Sequence, residues 1–118
     1  MTWKFYHNPQ CSKSREALEF LRTQGIDFQT IEYLKTPPSP EELRVLISQL
    51  DSSLSSLVRV KESDFVAAPF DVNSTDEVVV GLTANLRLME RPVLQGHGKA
   101  TIGRPLEKFL QLLTKYPY

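Results

Sequence analysis

Reactive sulfur and imidazole are scarce in this chain. Among 118 residues there is one cysteine, Cys11, and there are two histidines, His7 and His97. A single thiol excludes an intramolecular disulfide, and with two well-separated histidines it makes no Cys/His metal site, so metal binding is rejected. Neither sign of charge is in excess: fourteen Lys and Arg offset fourteen Asp and Glu. No global field therefore directs the chain to nucleic acid or to an anionic membrane. No apolar run is long enough to span a bilayer, and "MTWKFYHN" lacks the apolar segment of a signal peptide. A reduced, cytoplasmic setting is the expectation. The length suits one domain, residues 1–118, able to bury a core without staples.

The apolar periodicity predicts the elements. "TWKFYH" (2–7) alternates and reads as a strand, which Asn8-Pro9 ends. From Ser12 the spacing turns helical, with Ala17, Leu18 and Leu21 on one face and Gly25 as the stop. "IDFQTIEYL" (26–34) is a second strand, so the first thirty-odd residues form a β-α-β unit with parallel strands. Ser39, Pro40 and Glu42 carry the capping-box spacing ahead of a Leu43, Leu46, Ile47, Leu50 stripe. A short helix is predicted in 52–60, a loop with one helical turn in 61–74, and a helix in 74–89 despite Gly81. "RPVLQGHGKATIG" reads as a hairpin turning on Gly96-His97-Gly98, with His97 exposed. Pro105 then opens a last helix with Leu106, Phe109, Leu110 and Leu113 on one face. A parallel pair, a hairpin and two covering helices make an α/β, thioredoxin-like (glutaredoxin-like) plan. The helices between about 38 and 90 form an insertion between its β-α-β and β-hairpin-α halves.

Cys11 stands where the first strand gives way to the first helix. Only the thiolate is a good nucleophile, and a free thiol ionises near pH 8.5. A helix N-terminus favours an anion through its unpaired N–H groups and its partial positive charge. Lys13 and Arg15 add charge nearby, and Ser14 offers a hydroxyl to the sulfur or to a bound oxyanion. The competing reading is an inert core cysteine; the strand-to-helix loop position favours reactivity. With no second cysteine, any oxidised form of Cys11 must be resolved by another molecule's thiol. Arg91 and Arg104 each precede a proline at the outer edges of the hairpin, in "MERPVL" and "IGRPLE", which restricts their backbones. Pro92, entering the hairpin strand, is the candidate for the cis proline that lies against the cysteine loop in thioredoxin-like folds. Together with Arg59 in "SSLVRV", these arginines would make a tetrahedral oxyanion site around the thiolate. His7 is read as a base, as an orienter of Cys11, or as the polar end of the strand.

"YHNPQCSKSREALEFLRTQGIDFQTIEYLKTPPSPEELRVLI", "LVR", "LMERPVL" and "ATIGRPLEKFL" together resemble the glutaredoxin-coupled bacterial arsenate reductases and their short homologues. The resemblance covers nearly the whole chain in the same order and weakens between residues 61 and 85. It implies reduction of arsenate to arsenite, with Cys11 as the nucleophile that forms a thiol–arsenate adduct. It makes Arg59, Arg91 and Arg104 the oxyanion-holding arginines, and His7 and Ser14 the supports of the thiolate. It implies no bound cofactor, glutathione as the external reductant, and glutaredoxin as the partner that clears the mixed disulfide. "SKS" replaces Gly-Thr-Ser after the cysteine, and "LLTKYPY" follows the last helix without the longer tail of the best-known members. Both features suit the short homologues. The alternatives are a related glutathione-dependent thiol/disulfide reductase, or a non-enzymatic thioredoxin-like regulator that binds RNA polymerase.

Overall fold

A four-stranded sheet in the order β2-β1-β3-β4 divides the computed structural model into two layers of helix. Residues 2–117 are described. β1 (Trp3–His7) lies at the centre, parallel to β2 (Phe28–Glu32), with Trp3 opposite Phe28 and His7 opposite Glu32. On its other side β1 runs antiparallel to β3 (Val93–Gly96), which returns as β4 (Lys99–Ile102). Both halves of the thioredoxin-like plan are therefore present. The alternation along β1 divides its side chains between the faces. Trp3 and Phe5 join Ala17 and Leu21 of α1 (Ser12–Thr23) and Phe109, Leu112 and Leu113 of α5 (Glu107–Lys115). Tyr6 joins Leu43 and Leu46 of α2 (Pro40–Gln49) and Val78, Val79 and Leu82 of α4 (Thr75–Ala84) on the opposite face. Each fully buried Leu or Phe contributes about 1.5–3 kcal/mol, so both layers are held mainly by apolar burial.

Local signals set several boundaries as expected. Ser39 Oγ accepts the Glu42 N–H at 3.1 Å and the Glu42 carboxylate accepts the Ser39 N–H at 2.9 Å, completing the capping box of α2. Gly25 follows α1 with φ +67°, the left-handed conformation that a helix stop favours. The single turn expected within 61–74 is α3 (Ser63–Ala67).

Other expectations are corrected. The second strand is limited to 28–32, because the amides of Lys35 and Thr36 turn back onto the Glu32 carbonyl and Tyr33 enters that turn. The 52–60 helix shrinks to a 3₁₀ turn over Leu54–Leu57. The helix read across 74–89 breaks at Asn85, whose carboxamide accepts the Arg87 N–H and donates to Asp64; a 3₁₀ turn over Leu86–Leu88 follows. Gly81 belongs inside α4 for a packing reason: a Cβ there would stand 2.3 Å from the Phe70 ring. The last helix begins at Glu107 and not at Pro105. It buries Leu112 and leaves Leu110 46% exposed, so the covered face is rotated from the one expected.

The hairpin turn is also tighter than read. Gly96 pairs with Lys99, leaving His97 and Gly98 as a two-residue turn with φ +52° and +75°, the sign pattern of a type I′ turn. His97 is half-buried rather than exposed, with its ring 4.8 Å from Trp3 and stacked at 5.5 Å on Tyr116. Gly96 permits this close approach, since a Cβ there would lie 2.4 Å from the indole.

Candidate active site

The loop from His7 to Cys11 is held by its own polar groups. The Asn8 carboxamide accepts the Gln10 N–H at 3.0 Å, and the Asn8 carbonyl accepts the Cys11 N–H at 3.0 Å. Cys11 is the N-cap of α1, its carbonyl taking the first helical bond from Arg15. Cys11 as a whole is 8% exposed. Burial works against the thiolate there. The Ser14 N–H, the Arg91 guanidinium and the Lys13 N–H together outweigh it and hold the pKa below the ordinary thiol value. The sulfur makes no full capping hydrogen bond; the helix amides act on it mainly as oriented dipoles.

The helix amides do what the side chains of residues 13 to 15 were expected to do. Lys13 reaches toward Glu16 at 4.0 Å, and Arg15 donates to the Pro9 carbonyl at 2.8 Å. The Ser14 side chain, fully buried, turns away from the sulfur. Its Oγ lies 2.6 Å from His7 Nδ1 and accepts the Asn8 N–H at 3.0 Å. His7 is buried and stacked on Phe5. Burial lowers its pKa, Glu32 opposes this, and Arg15 and Arg22 add to it, so the imidazole is neutral near pH 7. His7 and Ser14 thus meet each other beneath the cysteine loop.

The arginines arrive from three other segments. The chain at 57–59 runs beside 88–90: the Arg59 N–H donates to the Leu88 carbonyl at 2.8 Å, and the Glu90 N–H donates to the Leu57 carbonyl at 2.7 Å. Val58 bridges Met89 between them. Arg59 is thereby carried from the 3₁₀ turn at Leu54–Leu57 to the segment that leads into β3, where its guanidinium donates to the Arg87 carbonyl at 3.0 Å. The Arg91–Pro92 bond is cis, as the plan implied for the proline entering the hairpin. Arg104–Pro105 is cis as well, which the sequence had not indicated. At the hairpin's open end the Gly103 N–H donates to the Pro92 carbonyl at 2.9 Å and Arg104 Nε donates to the Arg91 carbonyl at 2.8 Å. Arg104 Nη2 then points at Cys11 Sγ from 3.8 Å.

Arg59, Arg91 and Arg104 line one open cavity of about 450 Å³ together with Lys61, Glu62 and Glu90. Arg91 and Arg104 reach the sulfur; Arg59 belongs to the cavity wall. Arg91 Nε is buried and has no partner among the described residues, a donor that costs about 1–3 kcal/mol if left unmet. Four site residues escaped the sequence reading, among them Lys61 on the cavity wall. Glu62 and Glu90 pair with the arginines. Tyr33 is pushed up to about 12 by burial, against the pull of Arg91 and Arg59, with Cys11 and Glu90 raising it further. Glu90 is adjacent to Arg91 in sequence, but adjacency does not report where a side chain points.

A buried thiol at a helix N-terminus, faced by arginines from an Arg-Pro hairpin, is the geometry to set beside known proteins. The ArsC family profile matches residues 6–112. The chain belongs to the ArsC family. Among ArsC relatives, the arsenate reductase of Neisseria meningitidis is 36% identical over 93% of this chain and 97% of its own length. The uncharacterized protein YfgD of Escherichia coli K12 is 39% identical over 93% of this chain and 95% of its own. The structure of an arsenate reductase from Vibrio cholerae superposes with a TM-score of 0.85 at 40% identity, covering 96% of this chain and 98% of that one. The profile match spans the fold from β1 into α5.

Proposed function

We propose that this chain reduces arsenate to arsenite through a thiolate adduct on Cys11, with glutathione and glutaredoxin completing the cycle. The observation that carries the reading is the guanidinium of Arg104 at 3.8 Å from a thiol whose pKa is already lowered, on a cavity shared with Arg59 and Arg91. Arginine forks match the oxygens of a tetrahedral anion bidentately, and the unmet Arg91 Nε–H is a donor suited to one of them. Held this way, arsenic faces the sulfur. The thiolate displaces one oxygen, which leaves as water after protonation, and an S–As bond forms with arsenic still pentavalent. Glutathione supplies the second thiolate. Formation of the S–S bond between Cys11 and glutathione leaves the S–As pair on arsenic, which departs as trivalent arsenite. Glutaredoxin then takes the glutathione by thiol–disulfide exchange and returns Cys11 as thiolate. His7 and Ser14 serve by fixing the loop and the Ser14 N–H beneath the sulfur.

Purified protein supplied with arsenate, glutathione, glutaredoxin and NADPH-linked recycling should turn over, and Cys11→Ser should abolish the rate. An unchanged rate in that variant would sink the assignment. Turnover of glutathione mixed disulfides with none of arsenate would replace it with a thiol/disulfide reductase.

A further inference from the structure

Each of the three guanidinium groups lining the cavity already holds a carboxylate. Arg59 pairs with Glu62. Glu90 serves the other two: its Oε1 accepts the Arg91 backbone N–H at 3.1 Å and stands 3.4 Å from both Arg91 Nη1 and Arg104 Nε. An anion-binding cavity with carboxylates built into its wall has set aside part of its own charge.

We infer that Glu90 selects the charge state of the oxyanion, favouring a singly charged tetrahedral anion over a doubly charged one. The inference rests on the oxyanion reading above. Four cations (Arg59, Lys61, Arg91 and Arg104) and two carboxylates (Glu62 and Glu90) line the cavity. Tyr33 stays a neutral phenol beside them. The Cys11 thiolate cancels one more positive charge, and the single one left is what a monoanion neutralises. The two carboxylates do not weigh equally. Glu62 is the more exposed carboxylate, 41% against 24% for Glu90, so solvent and salt screen it more. Glu90 sits between the two guanidinium groups that reach the sulfur, so its charge is felt both by the thiolate and by whatever anion approaches it. Selecting the less charged form also lowers the repulsion that an attacking thiolate meets.

Glu90→Gln keeps an acceptor oxygen for both arginines and removes the charge. Inorganic sulfate, doubly charged throughout the neutral range, is the probe, and protection of Cys11 from iodoacetamide is the readout. In Glu90→Gln, half-protection should need about tenfold less sulfate than in the wild-type chain, and the apparent thiol pKa should fall by about one unit. Glu90→Asp keeps the charge and should stay within about twofold of wild type in sulfate protection. Unchanged or weaker sulfate protection in Glu90→Gln overturns the inference, as does equal tightening in Glu90→Asp. A measurement on the unaltered chain tests the same point: the ratio of phosphate to sulfate protection should fall as pH rises through the second ionisation of phosphate. A flat or rising ratio overturns it. None of these readouts uses arsenate turnover, so failure of the proposed reaction and failure of the role given to Glu90 are distinguished.

Discussion

At Cys11, burial and the surrounding donors act in opposite directions, and the donors prevail. The apparent pKa from the pH dependence of alkylation should therefore lie below about 8.5. Arg91→Gln should raise it by about one unit, while Lys13→Ala should leave it in place, because the Lys13 side chain is turned toward Glu16. An equal shift in the two variants would return the credit to diffuse local charge. The sign for stability follows from the same depression. The thiolate's contribution is complete above the unfolded thiol's pKa and is lost as pH falls through the lower folded value. At this scale the sequence was legible where the signal is local: a thiol at a strand-to-helix junction, and a serine three residues on. Which atom of Ser14 faces the sulfur was not legible. The hydroxyl is captured by His7 and Asn8, partners fixed by the loop's return path and not by spacing.

The hairpin is the element that assembles the site, and its two ends do different work. Arg91 and Arg104 flank the open end, where Gly103 passes so close that a Cβ would lie 2.9 Å from Phe109 and 3.2 Å from Pro92. Gly96, beside the turn, lies under Trp3. Gly96→Ala and Gly103→Ala should each cost about 1–3 kcal/mol by overpacking, measured by urea unfolding. Only Gly103→Ala should also raise the Cys11 pKa, because only that end carries the arginines; a rise in both variants would contradict the division. The hairpin itself was legible from two short apolar runs around a Gly-containing turn. The start of α5 was not. Proline at the first helical position is the usual local rule, but here the chain must first bring Arg104 back over Arg91, and α5 begins two residues later. Leu112, not Leu110, is covered because the face of α5 that packs on Trp3, Phe5 and Leu21 is set by the sheet and α1, which the helix's own spacing does not report.

Across the whole molecule the sheet belongs to both cores at once. Val93 faces the α2/α4 side and its neighbour Leu94 the α1/α5 side. Leu82→Ala on one side should cost about 2–5 kcal/mol, and Phe109→Ala on the other about 3–5 kcal/mol. Both variants should still unfold in one transition by near- and far-ultraviolet circular dichroism, because neither layer can leave without exposing the strands they share. Two separated transitions would show the layer of α2 and α4 to be an independent unit. The β-α-β and hairpin halves were legible from periodicity; the path that carries Arg59 to Glu90 was not, since the pairing of 57–59 with 88–90 is made by residues some thirty positions apart. The same central strand also separates the chain's optical reporter from its chemistry. β1 begins at Trp3, the only tryptophan, and ends at His7 beneath the cysteine loop, a span of about 13 Å at strand rise. Trp3 is walled in by His97 and the turn of the hairpin. Intrinsic fluorescence will therefore follow melting of the sheet and stay silent as an anion enters among the arginines, so ligand titrations of this protein call for a dye or an isotope label placed on the loop after β1.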